Sequence, residues 1–139
     1  MEQTKVFGQT KDVGFQIGVR RTFPVSVNLA WDFLFSDKGL SFWLGKIDSG
    51  DIEPDNSYKT KEGIEGKISV LKPYSHIRLT WKRKDWENVS TLQIRVIPAK
   101  EKTTISFHQD KLMNSGQREE MKSYWNKILE EIKNKLNTE

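Results

Sequence analysis

Residues 114–137 read NSGQREEMKSYWNKILEEIKNKLN, and this stretch decides the fold. At about 100° per residue, Met121, Tyr124, Trp125, Ile128, Leu129, Ile132 and Leu136 fall within an arc of roughly 140° on a helical wheel. The opposite side carries Lys, Glu and Asn. Only Lys135 intrudes on the stripe, near the end of the helix, where its stem can snorkel to water. Asn114 with Gln117 three residues on is a capping-box pattern, so the helix is predicted to begin there. An apolar stripe of this length has to be covered by another layer of the same fold.

The rest of the chain supplies that cover. Phe15, Ile17, Val19, Arg21 and Phe23 alternate with Gln16, Gly18, Arg20 and Thr22, the period-2 mark of a half-buried strand. Pro24 ends it. Ser26 is an N-cap for a helix over 27–35, with Val27, Ala30, Trp31 and Leu34 on one face and Leu29 and Phe33 on the other. Apolar residues on two sides predict a sandwiched helix. Asp37 is expected to cap a second short helix through Leu40, Phe42 and Trp43, stopped at Gly45, and residues 48–57 read as a loop.

Strand signals then follow in close order. Tyr58–Thr60 is short. Ile64, Gly66, Ile68 and Val70 share one parity, as do Ile77, Leu79 and Trp81, then Leu92, Ile94 and Val96, then Ile105 and Phe107 in a strand over Thr103–His108. Turns this short join antiparallel neighbours, because a parallel crossover needs about a dozen residues or more. The predicted class is α+β. A curved antiparallel sheet of about six to seven strands wraps the long C-terminal helix, with two short helices after the first strand. Residues 1–14 read as an N-terminal arm and residues 15–139 as a single domain.

Composition narrows the function classes. The 139 residues contain no cysteine, which excludes disulfides, thiolate metal sites and cysteine nucleophiles. The start of the chain lacks a signal-peptide core and no segment approaches 18 apolar residues, so a cytoplasmic protein without membrane insertion is expected. The net charge is +4, but acidic residues are interspersed with the basic ones. Asp85 and Glu87 follow Lys82-Arg83-Lys84 at once, so no segregated nucleic-acid face is expected.

Catalytic and cofactor motifs are scarce. His76 and His108 each alternate with apolar residues and should face outward, and two isolated histidines make a poor zinc site. There is no G-x-S-x-G, P-loop or G-x-G-x-x-G. No metal, cofactor or catalytic residue is assigned.

Several segments together resemble a known family. The order of elements resembles the helix-grip fold of the birch-pollen-allergen proteins and START-like lipid-binding domains, also called the SRPBCC type. Thr22-Phe23-Pro24 running into Ala30-Trp31-Asp32, then Trp43-Leu44, is similar to the opening of bacterial relatives of the activator of heat-shock-protein-90 ATPase. Gly66–Pro73, Leu79-Thr80-Trp81, Ser90-Thr91, Lys102-Thr103-Thr104 through His108, and Trp125 with Leu129 and Ile132 agree with its later strands and terminal helix. The resemblance spans about residues 15–136. It implies the fold, and functions that range over lipid carriers, aromatic cyclases and co-chaperones.

In such a fold the aromatic residues (5 Trp, 7 Phe and 3 Tyr) can line a cavity between sheet and helix. The expected lining is Trp31, Trp43, Trp81, Phe107, Met121, Tyr124, Trp125 and Ile128. Trp86, in the loop after the basic run, is expected to be exposed at the cavity mouth or at an interface. Arg21 shares parity with the apolar residues of its strand and is expected to pair with a helix carboxylate such as Asp32 or to meet a ligand's carboxylate or phenolate. The reading that follows is non-catalytic binding of a small hydrophobic or aromatic ligand, lipid-like or polyketide-like. The alternatives are a protein-interaction module, chaperone-related or self-associating, and a cyclase- or hydrolase-type enzyme. The enzyme would need a titratable group facing the cavity.

Overall fold

The computed structural model describes residues 9–10 and 14–137. Strands β1 (Gln9–Thr10) and β2 (Gly14–Phe23) are followed by helices α1 (Val27–Leu34) and α2 (Asp37–Trp43). Strands β3 (Ile47–Ser49), β4 (Ser57–Thr60), β5 (Glu65–Lys72), β6 (His76–Trp81), β7 (Ser90–Ala99) and β8 (Lys102–Leu112) come next, and helix α3 (Ser115–Asn137) last. Every pairing is antiparallel, in the order β1-β2-β8-β7-β6-β5-β4-β3. The α+β helix-grip architecture therefore stands as the sequence indicates. Of the expected N-terminal arm, Gln9 and Thr10 pair with Phe15 and Gly14, while residues 1–8 and 11–13 lie outside the described residues.

Local chemistry accounts for the element ends. Ser26 caps α1 by accepting a hydrogen bond from the Leu29 amide at 3.1 Å. For α2 the cap is Ser36, not Asp37. The Ser36 hydroxyl accepts from the Gly39 amide at 3.0 Å and donates to the Phe33 carbonyl at 2.7 Å, which places Asp37 inside the first turn. The two helices meet so closely that a Cβ on Gly39 would stand 1.8 Å from the Phe33 oxygen. Gly45, at φ +117°, then takes the chain out of α2 in a backbone region that side chains disfavour. Asn114 caps α3 as expected, accepting from the Gln117 amide at 2.8 Å, and the Gln117 side chain reaches back to the Met113 amide at 2.9 Å.

Four other details differ from the sequence pattern. Val70 does not continue the inward parity of Ile68, because the β5–β6 register shifts between them. Val70 is 38% exposed and Leu71 turns partly inward in its place. Leu29 is exposed, so α1 is sandwiched only where Phe33 packs on Phe42. The 48–57 loop gives part of its length to the edge strand β3. Strand β8 runs four residues past His108, to Leu112.

The stripe of α3 meets the concave face of the sheet. Met121, Trp125, Ile128, Leu129, Ile132 and Leu136 are all buried there, with Ile77, Leu79, Leu92, Ile94, Ile105 and Phe107 in the same core. At roughly 25 cal/mol per Å² of apolar area, this contact is the main cohesion between the two layers.

Candidate functional site

The expected lining residues fall into two groups. In the first, the Trp31 ring stacks on Phe35 at 4.4 Å and Trp43 meets Phe35 edge-on at 5.9 Å. The Trp43 indole N–H donates to the Leu34 carbonyl at 2.8 Å, so this group ties α1 to α2. In the second, beneath α3, Trp125 stacks on Phe107 at 4.8 Å, and Trp81 meets Trp125 edge-on at 5.8 Å. Tyr124 lies 4.9 Å from Trp125 and 6.5 Å from Trp81.

Trp43, Trp81, Phe107, Met121 and Trp125 are at most 1% exposed. Of these, the side chains of Trp81, Phe107, Met121 and Trp125 fill this part of the space between sheet and helix.

A buried polar chain runs through the second group, and sequence reasoning missed it. The Trp125 indole N–H donates to Gln109 Oε1 at 2.7 Å, Gln109 Nε2 donates to Ser90 Oγ at 2.9 Å, and Ser90 donates to the Trp81 carbonyl at 2.6 Å. Gln109 and Ser90 are both fully buried. The signal was available: Gln109 continues the parity of Ile105 and Phe107, had the strand been extended beyond His108.

Trp86 departs from expectation, being buried at 8% exposure rather than exposed. The β6–β7 loop folds back so that its ring meets Trp81 edge-on at 5.3 Å. Arg83, from the same loop, lies across three rings, with its guanidinium carbon 5.5 Å from the Trp81 centroid, 6.0 Å from Trp86 and 5.0 Å from Tyr124. Its outer edge is held by Glu120 of α3. Burial, the largest influence, pushes the Tyr124 phenol above its ordinary value against the pull of Arg83.

Arg21 pairs with Glu130 of α3 rather than with Asp32, which accepts from the Tyr74 hydroxyl at 2.9 Å. The Arg21 guanidinium holds the Glu130 carboxyl below its usual range.

Where the second group reaches the surface, a cleft of about 560 Å³ opens. Its walls are the end of α2, the β4–β5 turn at Glu62 and Ile64, the Arg83–Asp85 stretch, and Tyr124. Tyr124 is thus the one residue of the expected lining that borders this cleft. Among the described residues, no group of three His, Cys, Asp or Glu side chains is placed to hold a metal ion. No described helix is long and apolar enough to cross a membrane. His108 turns outward to Gln16 at 3.0 Å, and half-buried His76 sits beside Ser75 at 2.8 Å.

The model of the family described as "Activator of Hsp90 ATPase homolog 1-like protein" matches residues 24–137. No curated protein matches the chain significantly. Among solved structures, the chain is similar to PFC0360w, an HSP90 activator from Plasmodium falciparum, with 18% identity and a TM-score of 0.73, over 89% of this chain and 97% of that one. It is also similar to the Aha1 dimer of Colwellia psychrerythraea, with 17% identity and a TM-score of 0.69, over 85% and 92% of the two chains. A third likeness is to DynU16, of the dynemicin biosynthetic locus, with 13% identity and a TM-score of 0.79, over 88% of this chain but 47% of that one. At these identities the likeness is one of fold.

Proposed function

Because the chain belongs to the activator of Hsp90 ATPase homolog 1-like family, we propose that it binds a small hydrophobic or aromatic ligand without converting it chemically. The ligand enters between the sheet and α3 at the Tyr124 end. One observation carries this reading: the roughly 560 Å³ cleft has Tyr124 and Arg83 in its wall, and both of these pack on the buried Trp81 ring behind it. That volume lies within the range of small-molecule sites, and the cleft sets Leu44, Ile64 and Tyr124 among the polar Ser41, Glu62, Arg83, Lys84 and Asp85. Similarity to a protein from the dynemicin biosynthetic locus is compatible with it.

Intrinsic tryptophan fluorescence tests the reading. Titration with bicyclic arenes and with medium-chain fatty acids should give a saturable change that Tyr124→Ala weakens several-fold. A flat response to both series would overturn it.

Similarity to an HSP90 activator and to a dimeric Aha1 favours a second reading, a protein-interaction module. Sedimentation over a range of concentrations checks its self-associating form, which a strictly monomeric chain would remove.

A further inference from the structure

We propose that Arg83 is the specificity-determining residue of this cleft, and that the ligand it selects is an uncharged planar arene carrying a hydrogen-bond acceptor oxygen. This rests on the cleft reading above and goes on to name the ligand's chemistry. Arg83 and Tyr124 both belong to the cleft wall and the aromatic cluster, and Arg83 is the charged one of the two. A guanidinium has five N–H donors and no acceptor, and the Glu120 contact uses Nη1. Next to it, the buried Trp81 indole N–H has no hydrogen-bond partner.

A buried donor without an acceptor is costly and calls for an oxygen or its equivalent. Arg83 therefore brings spare donors and a flat face to a cleft whose own acceptors include Ser41, Glu62 and Asp85. A carbonyl oxygen on a flat ring system can accept from Arg83 while its ring stacks on the guanidinium plane.

The other ligand charges fit less well. A cation would need the faces of Trp81, Trp86 and Tyr124, and Arg83 already occupies them. An anion would find Arg83 and Lys84 offset by Glu62 and Asp85 on the same walls, and would compete with Glu120 for Arg83. A saturated hydrocarbon chain would leave the remaining Arg83 donors unanswered.

The test uses four probes of nearly one shape: 2-acetylnaphthalene, 2-isopropylnaphthalene, 2-naphthoate and 2-naphthylmethylammonium. Binding is read from the five indole N–H resonances of isotopically labelled protein, of which Trp81 should shift most with the ketone. The wild type should hold the ketone about tenfold more tightly than the hydrocarbon, the worth of one hydrogen bond to a charged donor. In Arg83→Met, which keeps the apolar stem, that gap should close to about twofold or less while the hydrocarbon still binds. Arg83→Lys should restore only part of it, because an ammonium neither stacks nor forks. Thermal melts of both variants confirm that the fold is intact.

Equal binding of ketone and hydrocarbon, or a ketone preference that survives Arg83→Met, overturns the role of Arg83 and leaves the cleft reading standing. Tightest binding of the naphthoate or the ammonium overturns the uncharged class. If no probe binds, the cleft reading fails, and this inference with it.

Discussion

Two adjoining regions beneath α3 are built from the same residue types and differ in how their polar atoms are answered. Around Trp125, the indole N–H, the Gln109 amide and the Ser90 hydroxyl form a closed chain, and the Trp125 and Phe107 rings are buried. Around Arg83, a cation lies on three rings, the Trp81 N–H has no partner, and Tyr124 is half-buried at the wall of a cleft. Trp81 belongs to both regions, since its carbonyl ends the closed chain while its side chain faces the Arg83 cluster. An aromatic residue under the terminal helix is thus structural where its polar neighbours are satisfied internally. It is available for binding where they are not.

The largest test of this contrast is Trp125→Ala. It removes the Phe107 stack and leaves Gln109 Oε1 unpaired, so a loss of about 3–5 kcal/mol is expected in urea denaturation. Arg83→Met should cost about 1 kcal/mol or less, since its ion pair is partly solvated. Comparable losses from the two would break the distinction between a closed region and an open one.

Gln109→Leu comes next. The leucine fills much of the same space but strands the Trp125 N–H and one bond of Ser90, at about 1–3 kcal/mol. Pairing it with Trp125→Phe in a double-mutant cycle should show a coupling well above experimental scatter. An additive pair would mean that the polar chain contributes nothing beyond its separate members.

How much of this the sequence disclosed depends on periodicity. The α3 stripe was legible because seven apolar residues repeat on one face, and the strands because their parity is strict. Legibility failed wherever a local event reset the count. The register shift in β5 turned Val70 outward, and Ser36 outcompeted Asp37 for the α2 cap because its hydroxyl reaches both the Gly39 amide and the Phe33 carbonyl. Trp86 was misread because a polar loop gives no sign of folding back on the tryptophan of the preceding strand. The site suffered most. Its separation into filled and open parts depends on which polar atoms meet, and Gln109 and Arg83 find their partners across 16 and 37 residues of sequence.

Alkaline titration separates the buried phenol of Tyr58 from the half-buried one of Tyr124. Burial raises the Tyr58 phenol far above the ordinary value of 10.0, with a smaller push from Glu65, and its hydroxyl donates to the Thr80 carbonyl at 2.6 Å. Tyr124 is raised too, with Arg83 opposing the rise. A phenol whose folded-state pKa is raised contributes stability that is complete below the unfolded value and is lost as pH climbs toward the folded one. Stability should therefore fall as pH rises above about 10. Tyr58→Phe should flatten that fall more than Tyr124→Phe, and tyrosinate absorbance should show Tyr124 ionising before unfolding. An equal effect of the two substitutions would place both phenols in one environment.

The smallest effect is expected at Arg21, outside both regions. Its pairing with Glu130 is the one strand-to-helix contact that the apolar parity of β2 suggested could reach a ligand, yet both partners are substantially solvated. Arg21 lowers the Glu130 carboxyl pKa, so the stability it lends is present above the unfolded carboxyl value and disappears as pH falls through the folded one. Arg21→Ala should leave the melting temperature almost unchanged near neutral pH and remove a slight acid-side decline that added salt also removes. The same variant should bind the naphthalene probes as the wild type does. A loss of binding in Arg21→Ala with stability intact would move the ligand from the Arg83 end of the helix to the Glu130 end, and with it the boundary between the closed and open halves of the contact.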